Sequence, residues 1–112
     1  MHKAGQYRYV SNLSNQPLSP LDGRYQPVVA ALGQHLSEAG LNRARILVEV
    51  EWLIFLANRN LLGTNAPIDA VLQDQLRNIV KDFSDDDVVE LAQTEAKTRH
   101  DVKAVEYFVR DR

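Results

Sequence analysis

The chain has 112 residues, 45% hydrophobic and 25% charged, with a formal net charge of −2 and no cysteine. That length suits one domain with a modest core, and the lack of cysteine excludes disulfides and thiol chemistry and fits a reducing, cytoplasmic setting. The charge balance gives no reason to expect a nucleic-acid polymer or an anionic membrane as partner; residues 61–112, with seven Lys/Arg against eleven Asp/Glu, carry the acidic excess.

The opening Met1-His2-Lys3-Ala4-Gly5-Gln6-Tyr7-Arg8-Tyr9 has no apolar centre and does not read as a secretion signal. Residues 1–17 are expected to be loosely ordered, and the helical domain to occupy 18–112. Leu18-Ser19-Pro20-Leu21-Asp22-Gly23-Arg24-Tyr25 is a polar turn. Pro20 holds Ser19 extended, Gly23 allows a tight bend, Arg24 offers a planar fork of donors for phosphate or carboxylate, and Tyr25 adds a hydroxyl. Alone, the segment reads as a loop with an exposed arginine. A helical pattern then starts near Pro27 with Val28, Val29, Leu32 and Leu36, and Gly40 reads as its stop. His35 in this stretch reads as a surface histidine.

A long helix is predicted from Leu41 to about Asn60. Its run from Ile46 to Ala57 is apolar on nearly every side, which predicts the most buried element, with Trp52 and Phe55 as core or interface anchors. Glu49 and Glu51 interrupt that run, leaving it too short and too charged to cross a bilayer. Two residues apart, these carboxylates do not face each other, so they make no acid–base pair. At most one is expected to be buried, paired with Arg45 or with a partner subunit.

Leu61 to Pro67 reads as a loop, with Pro67 opening the next helix. Ile68, Val71, Leu72, Leu76, Ile79 and Val80 recur at helical spacing to about Asp82. Ser84 is placed to cap a further helix, whose first turn holds Asp85, Asp86 and Asp87, where negative charge is favoured. Their spacing does not fit a calcium loop. Val88, Leu91 and Ala92 continue the pattern to Lys97. In the last helix Val102, Val105, Phe108 and Val109 form one apolar face, with Asp101 as the expected N-cap. Arg99 and His100 then stand just ahead of the positive helix end, where anions are favoured. By itself the His100–Asp101 pair reads as a cap with a polar neighbour, since one imidazole beside one carboxylate is not a triad and nothing nearby suggests a metal site. No stretch reads as a strand. The fold class is all-α.

Two segments in combination say more than either alone. Ser19-Pro20-Leu21-Asp22-Gly23-Arg24-Tyr25 and Thr98-Arg99-His100-Asp101-Val102-Lys103-Ala104-Val105-Glu106-Tyr107-Phe108 resemble the amino-terminal and first histidine segments of the adenylosuccinate lyase family, within the fumarase/aspartase superfamily. Glu49-Val50-Glu51-Trp52-Leu53 and Phe83-Ser84-Asp85-Asp86-Asp87 are similar too, in the same order, so the resemblance runs from about Leu18 to Arg112. It implies the helical amino-terminal domain of such a lyase, ending before the central helical bundle and before the downstream acid, base and mobile loop. A fragment of that kind is expected to be inactive alone.

The activity implied is elimination of fumarate from adenylosuccinate, giving AMP, and from the related succinylaminoimidazole carboxamide ribotide of purine synthesis, with no cofactor or metal. Carried over by position, Arg24 and Tyr25 bind the phosphate end of the nucleotide. Arg99, His100 and Asp101 line the pocket, with His100 near the succinyl portion or the leaving nitrogen, either as the catalytic acid or as a donor that holds the substrate; the supporting role is favoured. Asparagine also occurs at the position of Arg99 among family members, and Lys103 is expected to be solvated. The resemblance further implies a homotetramer whose subunits share active sites, and one cleft reached by both Arg24 and His100. The alternatives are another lyase of the superfamily, such as argininosuccinate lyase or fumarase, and a non-enzymatic helical interaction module.

Overall fold

A computed structural model describes residues 15–112. The expectations for residues 1–14 lie outside the described residues. The chain divides into two units, up to Ala31 and from Leu32 onward, each described by itself. Among the described residues the secondary structure is helical throughout, as the sequence predicts: α1 (Gln26–Val29), a 3-10 turn (Ala30–Leu32), α2 (Gly33–Leu36), α3 (Glu38–Asn58), α4 (Ala70–Lys81), α5 (Asp85–Thr98) and α6 (Asp101–Arg110).

In the first unit, the Ser19–Tyr25 turn is organised by Asp22. Its carboxylate accepts the backbone N–H groups of Leu18 (2.9 Å) and Ser19 (2.7 Å), and these bonds, Ser19 first, hold Asp22 below the ordinary carboxylate range. Gly23 donates its N–H to the Ser19 carbonyl, and a Cβ at position 23 would meet that oxygen at 3.2 Å. The turn therefore needs its glycine for close backbone approach. Tyr25 then leads into α1, where Pro27 occupies the first turn without loss of a hydrogen bond.

The second unit is built around α3. Its buried stripe is Ile46, Val50, Ile54 and Ala57, and the first three form one cluster with Leu91 of α5 and Val105 and Phe108 of α6. Leu76, Ile79 and Val80 of α4 pack against this core, together with Phe83, whose ring stands edge-on to Phe108 at 5.8 Å. The α3 helix is thus the central element, but it is not buried all round. Leu41, Val48, Trp52 and Phe55 fall on the opposite side and are 41–67% exposed. Trp52 stacks on Phe55 at 5.5 Å, outside the core.

Several boundaries differ from the sequence reading, each for a physical reason. The break expected at Gly40 comes at Ser37, whose hydroxyl accepts from the Gly40 N–H (3.0 Å) and starts α3. Gly40 lies inside the first turn because α2 packs there: a Cβ would sit 2.6 Å from the Gln34 carbonyl oxygen. Helix α4 begins after Asp69, which caps Leu72 N–H (2.8 Å), so Pro67 belongs to the preceding loop. Ser84 caps the α5 start as expected, and Asp87 reciprocates, completing a capping box. Neither Glu49 nor Glu51 is fully buried. Glu51 pairs with Arg77 of α4 (2.7 and 3.0 Å) and not with Arg45.

Candidate functional site

The second unit presents its chemistry at the turn between α5 and α6. Arg99 closes α5 in the left-handed conformation, φ 54° and ψ 31°, and turns the chain so that α6 can begin two residues later. Thr98 fastens this turn: its hydroxyl accepts from the His100 N–H (3.3 Å) and donates to the His100 carbonyl (3.0 Å). Without a glycine at position 99, the turn carries some backbone strain, which Thr98 and the helices on either side hold in place.

The N-cap of α6 is His100, which corrects the expectation for Asp101. His100 is extended (φ −150°, ψ 115°), and its Nδ1 accepts from the Lys103 N–H at 3.1 Å. Asp101 is drawn aside by other partners. One carboxylate oxygen accepts from the Val102 N–H (2.8 Å) and the other meets Arg45 of α3 at 2.9 Å. Those two contacts, the Val102 N–H first, hold Asp101 below the ordinary carboxylate range.

Capping fixes the ring chemistry of His100. A neutral imidazole that accepts at Nδ1 carries its proton on Nε2. Among the described residues Nε2 has no hydrogen-bond partner, and the side chain is 65% exposed. The Arg99 guanidinium is likewise unpartnered among the described residues. The turn therefore offers a cation and an N–H donor at the positive end of a ten-residue helix, an arrangement suited to an anionic group. Lys103 adds less to it, being paired with Glu106 (3.0 Å) and lying over Tyr107.

In the first unit Arg24 and Tyr25 form a pair. The guanidinium donates to the Tyr25 hydroxyl (2.9 Å) and lies over the Tyr25 ring, 4.6 Å from its centre. Both side chains are exposed. The sequence reading missed the parts that Asp22, Arg45 and Thr98 play in shaping the two turns. Asp22 was readable as a carboxylate three to four residues beyond free N–H groups; the partner of Arg45 was not, because Asp101 is distant in sequence.

A cavity of about 480 Å³ opens between the starts of α3 and α5, lined in part by Ser37, Gly40, Arg43, Phe83, Ser84 and Asp85. None of residues 98–101 lines it, and Arg43 is engaged with Gln34 (2.8 and 3.2 Å). Among the described residues no group of three or more His, Cys, Asp or Glu is placed to hold a metal ion. No described helix is long and apolar enough to cross a membrane.

No protein-family model matches the chain. Individual relatives do. Adenylosuccinate lyase of Haemophilus influenzae is 42% identical over 95 residues, which is 85% of this chain and 21% of that protein. Adenylosuccinate lyase of Escherichia coli K12 is 41% identical with the same shares covered, and that of Dictyostelium discoideum is 37% identical over 99 residues, again 85% and 21%. By sequence, most of the chain is similar to the adenylosuccinate lyases. It spans about a fifth of their length. The two segments whose wording resembles that family, Ser19–Tyr25 and Thr98–Phe108, are the two turns whose internal bonding is described above, the second running on through most of α6.

Proposed function

We propose that this chain is the amino-terminal part of an adenylosuccinate lyase, with residues 18–112 as its helical amino-terminal domain. The full-length enzyme eliminates fumarate from adenylosuccinate, giving AMP, and from the succinylaminoimidazole carboxamide ribotide. It acts as a cytoplasmic homotetramer without a cofactor, and this segment alone is inactive. What carries the reading is the α5–α6 turn, which holds a cation and an outward Nε2–H donor in a chain related to these lyases.

The reaction removes a proton from the carbon next to a carboxylate and expels an amino nitrogen. Charge builds on the succinyl portion, so fixed donors and cations that await it lower the barrier. Arg99 and His100 are assigned to that portion, with Asp101 lining the site through its hold on the turn. Arg24 and Tyr25 are assigned to the phosphate end. The cap supports His100 as a hydrogen-bond donor: with Nδ1 accepting from the Lys103 N–H, the ring presents its Nε2–H. The acid and base then lie outside this chain.

Fumarate release by the full-length enzyme tests this, with argininosuccinate as the control substrate. Wild type is expected to cleave adenylosuccinate and not argininosuccinate. His100→Asn keeps an oxygen that can cap α6 but loses the ring donor. It is expected to lower kcat by about 100-fold or more with the tetramer intact. Unchanged turnover in that variant removes His100 from the site, and no cleavage by wild type refutes the function.

A further inference from the structure

We propose that Arg45 is a positioning residue for this site: by occupying the Asp101 carboxylate, it keeps the His100 ring in the form that presents Nε2–H outward. The inference rests on the functional reading above only for its kinetic consequence. Its structural content stands on contacts within the second unit.

Arg45 sits on α3, and its guanidinium is held through one nitrogen. The same Nη1 donates to the Asn42 side-chain oxygen (3.2 Å) and meets Asp101 Oδ2 (2.9 Å). Asn42 is only 6% exposed, so the chain of contacts is anchored at a buried position of α3. The Arg45 side chain is 27% exposed and that of Asp101 47%, so the pair is partly open to water and its worth lies in where it holds the carboxylate.

Asp101 could bind His100 instead. Its Oδ1 stands 3.9 Å from His100 Nδ1, too far for a hydrogen bond but close enough to reach one by a small rotation. In that alternative Nδ1 would carry the proton and donate it to the carboxylate. Nε2 would become an acceptor, and the Lys103 N–H would lose its cap. Arg45 from one side and the Val102 N–H from the other hold the carboxylate away from that arrangement. Arg45 thus selects the tautomer without touching the ring.

Nitrogen-15 spectra of the histidine rings of the 112-residue chain report the tautomer, with His100→Asn assigning the signal. Wild type is expected to show His100 as the Nε2–H form. Arg45→Met should move it toward Nδ1–H, and Arg45→Lys should move it less. Adding Asp101→Ala to Arg45→Met should restore Nε2–H, because the competing acceptor is gone; a general loosening of the fold would not be rescued in this way. If Arg45→Met fails to fold, Arg45→Lys, alone and combined with Asp101→Ala, still reads the effect. A His100 signal unchanged in Arg45→Met, or not restored in the double variant, overturns the proposal. In the full-length enzyme Arg45→Met should lower kcat roughly 10–100-fold, as loss of an outer-sphere partner does, with a smaller change in KM. If the ring signals behave as expected while wild type does not cleave adenylosuccinate, the functional reading fails and the positioning role stands.

Discussion

Arg99 shows how a single residue can serve two demands that pull apart. Its left-handed backbone is what lets α5 end and α6 begin within two residues, and a residue with a Cβ is strained there by about 1 kcal/mol. Asparagine, which the family resemblance places at this position in other members, tolerates that conformation. Replacing Arg99 by glycine should therefore raise the urea midpoint of the chain, by roughly 0.5–1 kcal/mol in stability, while removing the guanidinium assigned to substrate. A lower midpoint would mean that the arginine side chain stabilises the turn by more than its backbone costs. None of this was legible in the sequence, where position 99 carries no glycine or asparagine to mark a left-handed residue. The cap was misplaced for a similar reason. Local preference favours aspartate over histidine, and Asp101 was taken away from that task by Arg45, a partner on another helix.

Helices were easier to read than their ends. Spacing of apolar residues located α3 to α6 because each buries a stripe against the others, and that pattern is local. The ends depend on what neighbours do. Gly40 illustrates this: its residue type suggested a stop, yet it sits in the first turn of α3 beneath the Gln34 carbonyl. Helix propensity alone predicts that Gly40→Ala stabilises by about 1 kcal/mol. The contact predicts the opposite, since a Cβ at 2.6 Å from backbone must displace α2, and overpacking of this kind costs roughly 1–3 kcal/mol. Urea unfolding should give a net loss; a gain would show that α2 moves aside freely.

At the scale of the whole molecule, carboxylates join the elements. Glu51 is lowered by its hydrogen bonds from Arg77, tying α3 to α4. Glu90 is lowered by Arg112, tying α5 to the residues just past α6. Burial acts to raise Asp87, but the Ser84 N–H and Arg112 outweigh it and leave it lowered. With Asp101 and Asp22 lowered as well, these groups contribute stability that is complete above the ordinary carboxylate values near about 4 and is lost as pH falls through the lowered ones. Helicity followed by circular dichroism should hold from neutral pH to about 4 and fall below it, and added salt should weaken the exposed pairs. A transition centred near neutrality would point to other groups. Composition and charge said nothing of a lyase; that came from the wording of two turns, which physics alone read as a loop and a cap. The outward stripe of α3 has one practical outcome. Trp52 is the only tryptophan in the chain, and 57% of it faces water. Its fluorescence should consequently be red-shifted in the native chain and respond weakly to unfolding. A blue shift would instead register dehydration of that helical face, making the indole a built-in gauge of whatever comes to lie against it.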